Sequence, residues 1–308
     1  MTTGVIFPGQ GSQFVGMLED FGSDYPLIKD YFVRASEVLD VPLWDITMNG
    51  PIEKLASTEI TQPALLTASV ALFEILQTNA QVLPAVMAGH SLGEYSALVA
   101  SNSLSFEDAV MLVHRRGLLM KEAVPHGEGG MAAILGLDGN IVEACCDKAE
   151  GMVSPANYNA PGQIVIAGKM DALESAILLC KEAGARRATV LNVSGPFHSP
   201  LMESARDQFE RYLEQVNLIM PTVPVIHNVD GSQAKNLPDL KAKLLAQLSA
   251  PVLWELCMNS IYSMGVDELF ECGPGKVLTG LNKRINSSIG CRSIGTKEEF
   301  SIVSDERR

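Results

Sequence analysis

Gly89-His90-Ser91-Leu92-Gly93 is the stretch that indicates the fold of this chain, because it has the pattern G-x-S-x-G. In this pattern a serine sits on a sharp turn between a strand and a helix, with its hydroxyl lifted clear of the main chain. Residues 84–88 (PAVMA) form a short apolar run, and residues 94–100 (EYSALVA) are typical of a helix with an acidic first turn. The alternative is a glycine-rich turn between strand and helix whose serine has no catalytic role. Because both flanking elements are predicted, we interpret Ser91 as a nucleophile.

Short apolar runs alternate with longer helical patterns along the chain, which predicts α/β architecture. Residues 5–7 (VIF) are predicted to form the first strand, which ends in the tight loop 8–13 (PGQGSQ). Ser105 is predicted to cap the start of a helix. The other predicted elements are helices at 26–39, 62–77 and 105–124, and strands at 223–228 and 268–272. From about residue 290 the chain is polar, and a loosely attached tail is expected there.

The middle of the chain has the element order of a separate small subdomain. After the loop 126–130 (HGEGG), the pattern gives strand, helix, strand, strand, helix and strand, the βαββαβ order of ferredoxin-like folds. The predicted bounds are 131–137, 139–149, 153–158, 163–168, 171–183 and 187–193, with a turn at 159–162. The prediction is therefore a large α/β domain at 1–126 and 196–290, an inserted subdomain at 127–195 and a tail at 291–308.

Composition excludes several classes of protein. The chain has 308 residues and a formal net charge of −13, so no surplus of cations is available to displace counterions from nucleic acid. No signal peptide is expected, and no uninterrupted apolar run approaches the ~18 residues of a membrane span. The six cysteines show no Cys-x-x-Cys pair and no zinc-type spacing with histidine. We expect a cytoplasmic protein with reduced thiols and with no metal, cofactor or membrane contact.

A serine nucleophile needs a base, and the chain has five histidines. His198 is favoured because it follows a predicted strand and precedes a predicted helix, where catalytic groups collect in α/β folds. Ser199 and Pro200 are predicted to be the N-cap and the first residue of that helix. His90 adjoins Ser91 and is expected to point to the opposite side of the backbone. The alternative for His198 is a water-exposed histidine at a helix start.

No acid for a hydrolase-type triad is evident in the sequence. An α/β-hydrolase places an aspartate or glutamate between its serine and its histidine. The aspartates in that interval are Asp108, Asp138, Asp147 and Asp171. Asp108 fits a helix cap and the others belong to the predicted subdomain, which weakens the simple hydrolase interpretation.

Arg116 lies on the apolar stripe of its predicted helix, four residues after Leu112 and four before Met120. A guanidinium on the core side of a helix must be paired or face a cavity, because burying its charge without a partner costs much free energy. The pattern leaves two interpretations open, a buried structural ion pair and a fork for a substrate carboxylate.

Eight motifs, in order along nearly the whole chain, resemble those of the malonyl-CoA:acyl carrier protein transacylases. They are FPGQGSQ (7–13), TQPAL (61–65), GHSLGE (89–94), RG (116–117), NYNAPGQ (157–163), PFH (196–198), Gln247 before PV (251–252), and ECGPGKVL (271–278). The resemblance implies an α/β-hydrolase-like large domain with a mainly parallel sheet and an inserted ferredoxin-like subdomain, in agreement with the element order.

The resemblance also implies roles for individual residues. Ser91 would be the nucleophile and His198 its base. Gln247 would take the place of the missing acid by offering an oxygen to the other ring nitrogen of His198. The main-chain N–H groups of Gln10 and Leu92 would form the oxyanion hole.

The substrates follow from the same resemblance. Arg116 would hold the malonyl carboxylate in a bidentate pair, and Phe197 resembles the residue of malonyl-selecting members. The implied reaction carries malonyl from malonyl-CoA to the phosphopantetheine thiol of acyl carrier protein, through a malonyl-serine, for fatty-acid biosynthesis. Because carrier proteins of this kind are acidic, docking needs a local basic patch. The candidate docking residues are Arg186, Arg187, Lys283 and Arg284.

Three other functions remain open at this point. A serine esterase or thioesterase would use the same elbow, although the missing acid and the core-facing Arg116 argue against it. A non-catalytic module that binds carrier protein is disfavoured because Ser91, His198 and Arg116 are all present. A free-standing acyltransferase of a polyketide pathway would have the same chemistry and a different carrier.

Overall fold

The computed structural model describes residues 2–307, whose strands form two separate sheets. The strands are β1 (Thr3–Phe7), β2 (Val86–Gly89), β3 (Gly129–Leu135), β4 (Val153–Ala160), β5 (Gln163–Lys169), β6 (Arg187–Val190), β7 (Val225–Ile226), β8 (Glu268–Glu271) and β9 (Gly290–Ser293). The helices are α1 (Pro26–Leu39), α2 (Leu43–Asn49), α3 (Ile52–Leu55), α4 (Thr58–Ala80), α5 (Gly93–Ala100), α6 (Phe106–Glu122), α7 (Gly139–Lys148), α8 (Met170–Glu182), α9 (Glu203–Leu213), α10 (Leu237–Ser249), α11 (Trp254–Ser263), α12 (Val277–Ile285) and α13 (Lys297–Glu306). Short 3-10 helices span Glu19–Asp24 and Pro200–Met202.

The large sheet has the order β7-β2-β1-β8-β9, and every pair in it is parallel. All five residues of β1 are buried, as expected of a central parallel strand with both faces covered. The carboxyl ends of β1 and β2 meet at one edge, so the loop after Phe7 lies beside the elbow after Gly89. The prediction of an α/β fold with a mainly parallel sheet is confirmed.

The small sheet has the antiparallel order β4-β5-β3-β6, which is the strand order of a ferredoxin-like fold. α7 and α8 pack against one of its faces. The buried core between them includes Ile134, Val142, Ile166 and Leu173. The sheet extends from Gly129 to Val190, inside the predicted insertion; the residue bounds of the two domains stay a prediction.

The expectation of a loosely attached tail after about residue 290 is wrong. β9 adds to the edge of the large sheet as a parallel partner of β8. α13 then packs against the same domain through the buried side chains of Phe300 and Val303. A four-residue edge strand and a helix with a narrow apolar face carry too few apolar residues to stand out from a polar sequence.

The predicted helix start is confirmed in position, because Ser199 is the N-cap residue and Pro200 lies in the first turn of a 3-10 helix that leads directly into α9, but the predicted cap by the Ser199 side chain is not formed. The Ser199 hydroxyl donates to the main-chain oxygen of Pro196 at 2.6 Å instead of capping a helix. A 3-10 turn follows, and the α-helix begins only at Glu203. By contrast, Ser105 caps α6 as predicted, because its side chain accepts from the Asp108 main-chain N–H at 3.1 Å.

α4 is longer than the predicted helix at 62–77, because it continues across Pro63. Proline has no N–H to donate to the carbonyl four residues earlier. His114 of α6 replaces the missing donor, since its Nδ1 lies 2.8 Å from the Glu59 main-chain oxygen. α4 is long and apolar enough to cross a membrane, but 89% of its most apolar window is buried inside the protein. It is therefore interpreted as a core helix.

Candidate active site

Ser91 sits at the elbow between β2 and α5 with φ at +52°, in the left-handed region. Glycine is required on both sides of this turn. A Cβ at Gly89 would lie 1.8 Å from the main-chain carbon of Gly93, and a Cβ at Gly93 would lie 2.1 Å from the Phe7 oxygen. The two glycines therefore let the helix return closely over the strand, and this turn places Ser91 at the carboxyl edge of the sheet.

Ser91 and His198 are in direct contact, although 107 residues separate them in the sequence. The distance from Ser91 Oγ to His198 Nε2 is 2.7 Å. His198 Nδ1 lies 2.7 Å from the main-chain oxygen of Gln247, which can only accept. The proton of the neutral ring is therefore assigned to Nδ1, and Nε2 is free to accept the serine proton. Gln247 thus offers its oxygen from the main chain rather than from its side chain.

Burial keeps the His198 ring neutral. The side chain is 4% exposed. The pKa of His198 is lowered to about 3, mainly by loss of hydration and secondly by the positive charge of Arg116. At neutral pH the ring is therefore ready to act as a base, as serine activation requires.

Arg116 projects from α6 into the same site and is 1% exposed. A glycine follows it because α6 packs tightly on α4; a Cβ at Gly117 would lie 2.7 Å from the Glu59 Cα. This close approach lets Arg116 Nη1 donate to Gln62 Oε1 at 2.9 Å. Nη2 donates to Gln247 Oε1 at 2.9 Å and to Ser91 Oγ at 3.2 Å.

The partners of Arg116 decide between its two sequence-based interpretations. All three hydrogen-bond acceptors are neutral oxygens, and the buried Nε has no partner within residues 2–307. Burial lowers the pKa of Arg116 from its ordinary value, as expected for a cation without a direct counter-ion. A structural ion pair is therefore disfavoured, and the guanidinium is suited to accept a carboxylate next to Ser91.

Ser91, His198, Arg116 and Gln62 line a cavity of about 260 Å³, whereas Gln247 is fully buried and contacts three of them. Its wall also includes Phe197, which is buried, and Gln10 and Leu92. The glycine before Gln10 brings the loop after β1 against the elbow, since a Cβ at Gly9 would lie 2.5 Å from the His90 main-chain oxygen. The structure thus brings all seven predicted catalytic, oxyanion-hole and substrate residues to one site. Among residues 2–307, no cluster of three or more His, Cys, Asp or Glu side chains is suited to a metal.

His90 is turned towards the small subdomain. Its Nε2 lies 2.8 Å from Asn159 Oδ1 of β4, and its ring packs 5.5 Å from that of Trp254. Its ring therefore bonds Asn159 and not Ser91, although His90 also lines the cavity that contains Ser91.

Sequence reasoning missed two residues that hold the elbow. Asn228 Oδ1 accepts from the Ser91 main-chain N–H at 2.7 Å, and its Nδ2 donates to the Gly89 oxygen at 2.8 Å. Glu94 is fully buried and accepts from Asn228, Gln247 and His227. Their positions were the available signals, because Asn228 follows a strand at the active edge and Glu94 closes the elbow motif.

The predicted docking residues lie near one another in the fold. Leu135 pairs with Gln163 on one side and with Arg187 on the other, so these two are about 10 Å apart. Arg284 Nη1 donates to Gln163 Oε1 at 2.6 Å, which brings α12 to the same end of the small sheet. We call these four exposed cations the basic rim: Arg186, Arg187, Lys283 and Arg284. Gln163 also lines the cavity, so the basic rim adjoins its mouth.

An α/β fold that places an elbow serine, its base and an unpaired buried arginine in one cavity defines an enzyme that moves acyl groups. The comparison with protein families agrees. A model described as acyl transferase domain matches residues 5–267, and the chain belongs to this family.

The similarity to named relatives and solved structures extends over nearly the whole chain. The malonyl CoA-acyl carrier protein transacylase of Salmonella typhimurium is 51% identical over 300 residues, 97% of this chain and 97% of the relative. The structure of an acyl carrier protein S-malonyltransferase from Vibrio cholerae matches with a TM-score of 0.95 and 47% identity, covering 98% of this chain and 100% of that chain. A structure of a type II PKS acyl-carrier protein in complex with its malonyl-transacylase matches with a TM-score of 0.97 and 42% identity, covering 99% and 100%.

Proposed function

We propose that this enzyme transfers the malonyl group of malonyl-CoA to the phosphopantetheine thiol of an acyl carrier protein, in fatty-acid biosynthesis. The observation that carries the proposal is the position of Arg116, a buried cation with neutral partners that lies 3.2 Å from the nucleophile Ser91. An acyl group that bears a carboxylate can engage both at once. The names of the relatives and their similarity along the whole chain support the same reaction.

In the first half-reaction Ser91 Oγ attacks the thioester carbonyl of malonyl-CoA while His198 Nε2 takes the serine proton. The tetrahedral intermediate places its negative oxygen between the main-chain N–H groups of Gln10 and Leu92. The carbon–sulfur bond then breaks, and His198 returns the proton to the CoA thiolate. Arg116 holds the malonyl carboxylate throughout in a charge-assisted pair.

In the second half-reaction the carrier thiol gives its proton to His198 and attacks the malonyl-Ser91 ester. The ester bond breaks, and Ser91 Oγ recovers its proton from the ring. The product is malonyl thioester on the carrier, and the cycle is of the ping-pong type. A main-chain carbonyl opposite His198 Nδ1 fixes the tautomer but stabilises an imidazolium less than a carboxylate would.

The proposed reaction is tested by intact-mass measurement after brief mixing with malonyl-CoA, and again after addition of phosphopantetheinylated carrier protein. We expect a malonyl adduct that disappears from the enzyme and reappears on the carrier. Ser91→Ala is expected to form no adduct. An adduct that passes to water and not to the carrier would favour a thioesterase and contradict the proposal.

The carrier is proposed to dock on the basic rim, because an acidic partner must find a local positive surface on a chain of net charge −13. Replacing all four cations of the rim with glutamate is expected to raise the KM for carrier protein about tenfold or more at low salt. The rate of CoA release from malonyl-CoA is expected to stay unchanged. Both half-reactions are followed by chromatography of CoA and by carrier mass.

The matched control reverses two exposed cations of the large domain elsewhere, Lys29 on α1 and Arg211 on α9, and is compared with reversal of two rim cations, Arg187 and Arg284. Because Lys29 and Arg211 lie outside the basic rim, we expect a much smaller rise in KM from the control. Equal losses in both half-reactions of the rim variant, or an equal effect of the control, would contradict docking at the rim.

A cytoplasmic location is proposed with the function. It is supported by six free cysteine thiols, of which Cys291 is the only one that is not buried. The interior position of α4 is consistent with this proposal.

The alternative carrier is that of a polyketide pathway. The similarity to a malonyl-transacylase in complex with a type II PKS acyl-carrier protein is the observation in its favour. Relative rates with fatty-acid and polyketide carriers, measured at equal concentration, distinguish the two.

A further inference from the structure

Glu94 has a fully buried carboxylate three residues after the nucleophile, in the first turn of α5. Its Oε2 accepts from the Asn228 main-chain N–H at 2.9 Å and from Gln247 Nε2 at 2.8 Å. Its Oε1 lies 2.7 Å from His227 Nδ1. The reaction steps described above do not use this group, yet its partners lie in the loop after β7 and in α10, next to the reacting groups.

Gln247 is the link between Glu94 and the reacting groups. Its main-chain oxygen receives the His198 Nδ1 proton at 2.7 Å. Its side-chain Oε1 accepts from Arg116 Nη2 at 2.9 Å, while Nε2 also donates to the Ser91 main-chain oxygen at 3.0 Å. One residue therefore touches the base, the carboxylate-binding arginine and the main chain of the nucleophile.

The orientation of the Gln247 amide is determined by the groups at its two ends, a donor at Oε1 and acceptors at Nε2. An amide has one accepting end and one donating end, whereas a guanidinium can only donate. Glu94 Oε2 stands on the other side and accepts from two N–H groups. Oε1 is thereby directed to Arg116 and Nε2 to Glu94. If the acceptor at position 94 moves away, Nε2 loses its shorter bond, the one to Glu94, and keeps the one to the Ser91 main-chain oxygen at 3.0 Å, so the amide is held less firmly and its hold on Arg116 weakens.

We propose that Glu94 is a positioning residue for acyl transfer: through the amide of Gln247 it fixes Arg116 relative to Ser91, and so sets the preference for acyl groups that carry a carboxylate. This inference rests on the proposed malonyl transfer, because the preference for malonyl is its readout. Glu94 is not a hydrogen-bond partner of Arg116, so this role is assigned to the reach of Glu94 to the amide rather than to its negative charge.

Two conservative variants separate reach from charge. Glu94→Gln keeps the length and, with its oxygen towards Asn228 and Gln247, keeps the acceptor at the Oε2 position but removes the charge; its NH2 then faces His227 Nδ1, which can accept in the other neutral tautomer. Glu94→Asp keeps the charge and withdraws the acceptor by one methylene. The readout is the ratio of acylation rates with malonyl-CoA and acetyl-CoA, measured by intact mass. We expect Glu94→Asp to lower this ratio about tenfold, whereas Glu94→Gln is expected to keep most of the wild-type ratio. If Glu94→Asp retains a higher malonyl-to-acetyl ratio than Glu94→Gln, the proposal is wrong.

A double-mutant cycle tests whether the effect runs through Gln247. Gln247→Ala removes the amide but leaves the main-chain oxygen that faces His198. In that background Glu94→Asp is expected to lower the ratio no further, whereas additive losses would contradict the link. If Glu94→Asp fails to fold, the same cycle with Glu94→Gln decides, because its smaller loss must also vanish.

A control on the same helix separates this role from general stability. Ser96 has a buried hydroxyl without a hydrogen-bond partner within residues 2–307, and Ser96→Ala is expected to keep the wild-type ratio. Equal loss of both acylation rates in the Glu94 variants, with a lower Tm and an unchanged ratio, would mean a merely structural residue. Absence of a malonyl adduct on the wild-type enzyme would instead refute the proposed function itself.

Discussion

Arg116→Ala is expected to lower kcat/KM for acylation by malonyl-CoA about 100- to 10,000-fold, and that for acetyl-CoA by less than about tenfold. Hydrogen bonds to charged groups contribute roughly 1.5–3 kcal/mol each, and a bidentate pair provides two of them in a buried site. Acetyl has no carboxylate, so its rate falls only through indirect effects. The oxygens of Gln62, Gln247 and Ser91, which accept from Arg116 in the wild-type enzyme, lose that donor. CoA release with each substrate measures the two rates.

Arg116→Lys and Arg115→Ala are the matched controls. Lysine keeps the charge but not the planar fork, so we expect it to restore only part of the malonyl rate. Arg115 is the neighbour of Arg116 on α6, and its guanidinium lies 5.5 Å from the ring of Tyr212, so its loss is expected to leave the preference intact. An equal fall with malonyl-CoA and acetyl-CoA in Arg116→Ala would show that the arginine does not bind the carboxylate.

Local patterns in the sequence were enough to predict the parts of this site that depend on nearby residues. The spacing of Arg116 on its apolar stripe placed it on the core side, where it is 1% exposed. What surrounds it could not be predicted in the same way. Gln62 comes 54 residues earlier and Gln247 131 residues later, and no periodicity relates such distant positions.

The partner of His198 illustrates a second limit. The resemblance pointed to an oxygen of Gln247, but the atom is a main-chain oxygen, which every residue carries. Residue type at position 247 therefore says nothing about that bond. The side chain instead connects Arg116 with Glu94, a contact that only the approach of α10 to the elbow creates. The same reasoning applies to β9, whose place at the sheet edge depends on β8 and not on its own four residues.

His198→Ala is expected to lower the rate of Ser91 acylation about 1000-fold or more, the range expected when a general base is lost from a serine nucleophile. The pH dependence should change as well. Burial and the charge of Arg116 lower the pKa of His198 to about 3, so the ring stays neutral as pH falls through 6.5, where an exposed histidine would gain a proton. The wild-type kcat/KM for acylation is therefore expected to be flat between about pH 5 and pH 8.

In His198→Ala the serine proton must pass to hydroxide, so the residual rate is expected to rise about tenfold per pH unit over the same range. Chromatography of released CoA measures both profiles without a pH-sensitive dye. His126→Ala is the matched control, because this histidine is exposed in the loop after α6 and should give the wild-type rate and profile. An acid limb near pH 6.5 in the wild type would mean that the ring is hydrated when malonyl-CoA binds. A flat residual profile in His198→Ala would mean that another group of the protein takes the proton from Ser91.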